Sequence, residues 1–384
     1  MACGWRARVV ARTLQGVAMR YRGESLVRLD TLIGALGPGP WALGDVEGEG
    51  WTRAQIRAAI AGGRLIRPRR GVLAAGATAA PAAAARSVEG RRAAGLSRAG
   101  RSASDLVAVT AALRTTTARA AASFQSAAGV HDQWTPRDSP HAHLTAPGLP
   151  DALVNGVRIH GSRLPPELVT VVDGIPVTTI ARTAVDLARG TTFAEALEAL
   201  DGGARLICTR TFAVTKRALR DPRQRAMWAP PARDLLAVAY DSVRTWPGTV
   251  VVREALEHVD PGSESPLESR SRAAMLEAEL PIPEVGYRVL GASGEVYYAD
   301  FAWPGLRVLG EADGIGKYGD DPAEVRRRLR AERRRQRDLE DAGWIVVRWD
   351  SSESPATVIA RLKRVLHEAA QRGPSSPSNR SNGR

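Results

Sequence analysis

The chain has 384 residues, 54 Lys and Arg against 41 Asp and Glu, and a formal net charge of +13. Only three of the basic residues are lysines (Lys216, Lys317, Lys363), so the positive charge is almost entirely guanidinium, which suits phosphate. Two cysteines exclude a disulfide framework and a structural zinc site, and no run of 18 apolar residues is present to span a membrane. The length predicts two or three domains, and the cysteine usage a reducing, cytoplasmic setting.

Residues 1–26 read as a flexible extension, within which Met19 offers an alternative start. From residue 27 to 75 the pattern is helix, helix, helix, hairpin. Leu29–Leu36 reads as the first helix and Ala42–Val46 as a brief second. Thr52 caps a third that carries Ile56 and Ile60 on one face, with Arg53, Gln55 and Arg57 elsewhere. Gly62-Gly63 ends it, and two short strands follow around a turn at Pro68–Gly71. This is the order of a winged helix-turn-helix. Residues 53–101 hold eleven Arg and one acid, Glu89, so their net charge is 11 − 1 = +10, most of the excess of the whole chain. A block of that density attracts a polyanion.

Residues 76–102 are rich in Ala, Gly and Arg and read as a linker. A helical stretch is expected around Ala103–Ala128, within an α/β region spanning 103–225. Strands are expected at His141–Pro147, Gly156–Arg163 and Val169–Thr179, with a turn at Asp173-Gly174. His141, His143 and His160 alternate with apolar residues, so a polar strand face explains them better than a metal. Arg182 and Asp186, four apart on a helix, read as a surface ion pair. Residues 226–262 read as a connector.

The stretch 263–368 carries the most chemistry. A helix begins at Ser265-Pro266 with Glu268 in its first turn. Leu267, Met275 and the stem of Arg272 give it an apolar side. Val285–Leu290, Glu295–Trp303 and Leu306–Asp313 read as a three-stranded meander. Glu311 and Asp313 are two apart on a strand and share a face, and the Pro304-Gly305 turn folds Asp300 back beside them. Carboxylates gathered in this way repel one another unless a cation is present, and hard oxygen donors suit Mg²⁺ or Mn²⁺. The arginine run 326–337 is nearly balanced by acids: residues 321–341 hold eight Arg and six acids, 8 − 6 = +2. It therefore reads mainly as a solvated helix face. Residues 369–384 read as a disordered tail.

Two resemblances sharpen these readings. Thr52-Arg-Ala-Gln-Ile with Gly63-Arg-Leu-Ile-Arg-Pro-Arg-Arg-Gly-Val resembles the N-terminal winged helix of AbiEi-type antitoxins of type IV toxin–antitoxin systems. Gly156–Ala188 resembles their middle region. Ser123-Phe-Gln-Ser-Ala-Ala resembles a motif that reads Ser-His-x-Ser-Ala-Ala in actinobacterial relatives of that family, with Phe124 in place of the His. The likeness implies promoter DNA as partner, read by Arg53, Gln55 and Arg57 and gripped at its backbone by Arg69 and Arg70, together with a cognate toxin. Glu268, Asp300, Glu311-Ala-Asp313-Gly314 and Gly343-Trp-Ile-Val-Val-Arg-Trp349 resemble the PD-(D/E)XK nuclease superfamily, within it the domains related to very short patch repair endonucleases. That likeness implies a metal on Asp300 and Glu311, with Glu268 assisting. It puts Asp313 where the superfamily signature has a lysine, a charge that Lys317 is placed to supply.

The fold class expected is therefore a multidomain α+β and α/β protein: winged helix, mixed middle region, and a C-terminal restriction-endonuclease-like domain. Two functions stay open. One is a Mg²⁺-dependent endonuclease acting on double-stranded DNA; the other is an antitoxin-like regulator whose nuclease-like domain does not cut.

Overall fold

The computed structural model describes residues 32, 35, 36, 40–69, 71–75, 109–113, 116, 119–313 and 322–372. The predicted extension, Arg70, the linker at 76–102 and Lys317 lie outside the described residues. The chain is a mixed α/β protein, and its described residues form three separate sheets.

The first sheet is small. Strand β1 (Trp41–Ala42) leads into helix α1 (Leu43–Gly48), and helix α2 (Arg53–Ala61) is followed by β2 (Leu65–Arg69) and β3 (Val72–Ala75). β1 was not expected; it pairs with β3, giving the order β1-β3-β2. α2 starts where the sequence predicts because Thr52 and Gln55 form a reciprocal capping box: Thr52 Oγ1 accepts from Gln55 N, and Thr52 N donates to Gln55 Oε1 at 2.9 Å. Trp41, Leu32, Ile56, Leu65 and Leu73 close the core beneath them.

The second sheet has six strands in the order β6-β7-β5-β4-β9-β8. These are β4 (Ala121–Ala122), β5 (Ala142–Thr145), β6 (Ala152–Val154), β7 (Val157–His160), β8 (Val169–Val172) and β9 (Ile175–Thr178). The continuous helix expected over 103–128 is not formed. Residues 109–113 are helical, β4 intervenes, and helix α3 (Phe124–His131) follows. The reason is tertiary: the Ala122 backbone is paired on both sides, with Leu144 of β5 and Val177 of β9.

A helical layer follows: α4 (Ile180–Ala188), α5 (Phe193–Leu206), α6 (Pro222–Asp241) and α7 (Val250–Leu256). Leu197, Leu200, Leu236 and Val252 share one core, so the expected connector at 226–262 is instead packed helix. Arg182 and Asp186 of α4 do pair, but not at the surface. Their side chains are 1% and 0% exposed, and the pair is buried under Trp246, whose ring lies 5.2 Å from the guanidinium carbon.

The third sheet, β10-β11-β12-β13, comprises β10 (Glu284–Leu290), β11 (Val296–Trp303), β12 (Val308–Asp313) and β13 (Ile345–Asp350). The first three strands form the expected antiparallel meander, and β13 joins β12 in parallel. Helix α8 (Pro266–Glu277) precedes the sheet. Helix α9 (Pro322–Asp341) crosses from β12 to β13, as a parallel pair requires. The last helix, α10 (Pro355–Arg372), runs past the expected start of the tail because Ala369 is buried in the core. Gly310 in β12 leaves room for Trp349, which stacks on Phe301 at 5.7 Å; a Cβ at Gly310 would meet the indole at 2.8 Å.

α8 is docked onto α5 by charge. The Nη2 of Arg272 donates to both Asp201 oxygens at 2.8 Å, Ser269 Oγ donates to Asp201 Oδ2, and the backbone N–H of Asp260 donates to Oδ1. Arg270 adds an ion pair with Glu198. Arg272 is therefore buried for its charge and not only for its stem. Removing one partner of such a pair leaves the other charge uncompensated in the interior. Asp201→Ala is expected to lower the unfolding free energy by about 3–5 kcal/mol in urea denaturation. A loss below about 1 kcal/mol would show that α8 docks without the pair.

Candidate functional site

The sequence-predicted carboxylates meet where β11 parts from β12. The pairing of these strands runs from Trp303↔Val308 to Phe301↔Gly310 and ends there. At the next position the side chain of Asp300 takes over the role of a backbone acceptor: its Oδ2 accepts the N–H of Ala312 at 2.7 Å. This holds the Asp300 carboxylate at the backbone N–H that lies between Glu311 and Asp313.

Glu311 is 4% exposed. Burial, and then the charge of Asp300, push its carboxyl up to about 8. Glu268 enters from α8. Ser265 Oγ caps the helix through Glu268 N, and Glu268 returns the contact by accepting Ser265 Oγ–H at 2.8 Å and Glu264 N–H at 2.7 Å. It too is buried, and burial and then Asp300 raise it to about 8. Two buried carboxyls therefore face the charge of a third.

Arginines answer that charge, and sequence reasoning missed their part. Arg335 of α9 donates from Nη2 to Glu311 Oε1 at 2.7 Å and to Tyr298 O at 2.6 Å. Arg348 of β13 bonds Asp313 Oδ2 at 3.3 Å and forms an ion pair with Glu332. Arg220, from the helical layer, grips Glu264 with two bonds of 2.8 Å and lies over the ring of Tyr298. The run 326–337 is thus not solvated throughout. Arg327, Arg330, Arg333, Arg334 and Arg337 are exposed, whereas Arg335 and Glu332 turn inward with buried Leu339. The available signal was spacing: 332, 335 and 339 share a helix face.

Asp300 and Glu311 are the pair with the donors to hold a divalent cation. Among the described residues, no three His, Cys, Asp or Glu side chains are grouped to hold a metal ion. Burial and then the charge of Asp300 raise Glu311, and a cation between the two would relieve that repulsion. His143 and His160 make no such position. Their rings bond each other, Nδ1 to Nε2 at 3.0 Å, and Ser139 Oγ meets His143 Nε2 at 2.7 Å. Burial lowers His160 to about 4. Phe124, which stands where the resembled motif has His, adopts φ 50° and stacks on His160 at 4.2 Å.

The predicted nucleic-acid residues lie on the first sheet's elements. Arg53 is exposed and paired with Glu47 at 2.9 Å, Gln55 is engaged in its helix cap, and Arg57 is exposed. Arg69 lies in β2.

The raised Glu311 carboxyl sets a pH dependence. A proton bound more tightly in the folded state than in the unfolded one stabilises the fold at low pH, and that stabilisation is lost as pH rises through the folded value. The stability of the wild type relative to Glu311→Gln should therefore decline from about pH 5 to about pH 8 and then level off, measured as paired melting temperatures in metal-free buffer. A flat difference would contradict the raised carboxyl.

Among the described residues no helix is long and apolar enough to cross a membrane. No family model matches the chain. Two curated relatives do match: the uncharacterized proteins MT2308 and Rv2248 of Mycobacterium tuberculosis, from strains CDC 1551 and H37Rv. Each is 31% identical over 237 residues, covering 60% of this chain and 76% of the relative. At that identity and coverage, the chain belongs to the same family as these two mycobacterial proteins.

Proposed function

We propose that the chain is a DNA-binding protein whose C-terminal unit hydrolyses phosphodiester bonds with Mg²⁺ or Mn²⁺. The observation that carries this reading is the gathering of Asp300, Glu311 and Glu268 at the end of a strand pairing. The resemblance to the PD-(D/E)XK superfamily supports it, since Glu268, Asp300 and Glu311 are the residues that carry the likeness.

Asp300 and Glu311 would hold the cation, which when bound supplies an activated water and stabilises charge on the phosphate. Asp300 is oriented for that by the Ala312 N–H. Glu268, neutral near pH 7, is a carboxyl that can hold a proton beside the reacting atoms. Asp313 occupies the position of the signature lysine, and Arg348, which it shares with Glu332, is one cation beside it. Lys317 is a second source of that charge. Arg53 and Arg57 would face the major groove of double-stranded DNA, within reach of its phosphates, on a helix whose start Gln55 caps, and Arg69 and Arg70 would grip the backbone.

A second reading is favoured by one observation. Arg335 and Arg348 already neutralise Glu311 and Asp313, as in a cluster that is held together rather than poised. On that reading the protein is an antitoxin-like DNA-binding regulator with a cognate toxin as partner.

Plasmid nicking in Mg²⁺, Mn²⁺ and EDTA separates the two. The first reading expects cation-dependent cleavage that is lost in both Asp300→Ala and Glu311→Ala. Tight DNA binding without cleavage in either metal selects the regulator. For the DNA contacts, Arg53→Ala with Arg57→Ala should weaken binding and reduce the slope of log K against log salt by about 2, as expected for two lost phosphate contacts. An unchanged slope would remove α2 from the interface.

A further inference from the structure

The cation that Glu311 meets in this structure is a side chain of the protein. Arg335 is held there by Nη2 alone, which is shared between Glu311 Oε1 and Tyr298 O. Its carbon lies 5.6 Å from the centre of the Tyr297 ring, and its Nε is buried with no hydrogen-bond partner.

That is an incomplete grip. Guanidinium–carboxylate pairs are strongest when two nitrogens meet two oxygens in parallel. Arg220 and Glu264 pair in that way, through Nε and Nη2. Arg272 reaches both oxygens of Asp201 and adds a bond from Nη1 to His258 O. Arg335 touches one oxygen of Glu311. Its side chain is also 29% exposed, against 5% for its partner, so it can withdraw toward solvent while Glu311 cannot. The arrangement covers one oxygen of a buried carboxyl with a group that is able to leave.

Every charged group facing Glu311 fits this account. Asp300 and Asp313 repel it, and Arg335 and Arg348 attract it. Of the two arginines, Arg348 is committed to Asp313 and Glu332. Arg335 is the one bonded to Glu311 itself.

Resting on the reading that Asp300 and Glu311 form a divalent-cation position, we infer that Arg335 is the residue that sets its affinity. Arg335 occupies Glu311 Oε1 while no divalent cation is bound, and it must release that oxygen for one to bind.

The test is a Mn²⁺ titration of the full chain at pH 7, followed by electron paramagnetic resonance of the free ion, without nucleic acid. Arg335→Gln should bind Mn²⁺ more tightly than the wild type by on the order of tenfold to a hundredfold, the range of one charge-assisted hydrogen bond. Arg335→Lys keeps the charge but loses the planar fork and should tighten binding severalfold; it also answers the question if the Gln variant does not fold. Arg334→Gln removes an equal charge from the exposed face and should leave the affinity unchanged. If the wild type binds Mn²⁺ and neither Arg335 variant binds it more tightly, the inference is wrong. It is equally wrong if Arg334→Gln tightens binding as much, because net charge then explains the effect. If no variant binds Mn²⁺ at millimolar concentrations, the two-carboxylate reading falls and takes the inference with it. Binding without cleavage would leave the role of Arg335 standing and overturn only the nuclease reading.

Discussion

One buried carboxylate, Asp201, organises the half of the molecule that carries the candidate site. It lies in α5, within the helical layer, and four donors converge on it: Arg272, Ser263, Ser269 and the backbone of Asp260. Three of these belong to α8 or to the turn that leads into it. A buried ion pair contributes little net stability, because desolvation offsets attraction. What it contributes is geometry, since only one seating of α8 satisfies every donor. Glu268 sits one turn before Arg272 on that helix, so the seating also decides where its carboxyl lies.

The site continues this logic in the sheet. Side chains gather at Asp300 because the strands part there, and the backbone N–H left over at Ala312 needs an acceptor. Asp300 satisfies that need and is fixed by it. The surrounding carboxyls are then raised by burial and by one another, and the arginines are recruited from three different elements: the helical layer, α9 and β13. The acidic centre therefore belongs to the whole C-terminal half rather than to the meander alone.

Much of this was legible in the sequence, for identifiable reasons. Thr52 with Gln55 and Ser265 with Glu268 mark helix starts through short-range hydrogen bonds, and both helices begin where those residues say. The meander was legible because strand alternation and its turns are local. The Asp300, Glu311 and Asp313 cluster followed from the meander. What was not legible depends on partners far along the chain. Ala121-Ala122 lies in an alanine-rich stretch with high helix propensity and becomes a strand only because two other strands flank it. Arg182 and Asp186 have the spacing of a surface pair, and Trp246, some sixty residues away, buries them. Arg335 is one of eight arginines in a row of twenty-one residues, distinguished only by sharing a face with Leu339.

The docking of α8 on α5 has a consequence for how this chain can be dissected. Sequence punctuation near residue 263 invites a cut there, yet the charge that seats α8 sits some sixty residues upstream. A fragment beginning at 263 would carry Arg270 and Arg272 without Glu198 and Asp201, and would expose two arginines that the intact protein keeps in ion pairs. An exchange of this half between family members has the same requirement. The structural unit is α5 together with α8 and the sheet that follows it, and a chimera that separates them has to rebuild the pairs of Arg270 with Glu198 and of Arg272 with Asp201.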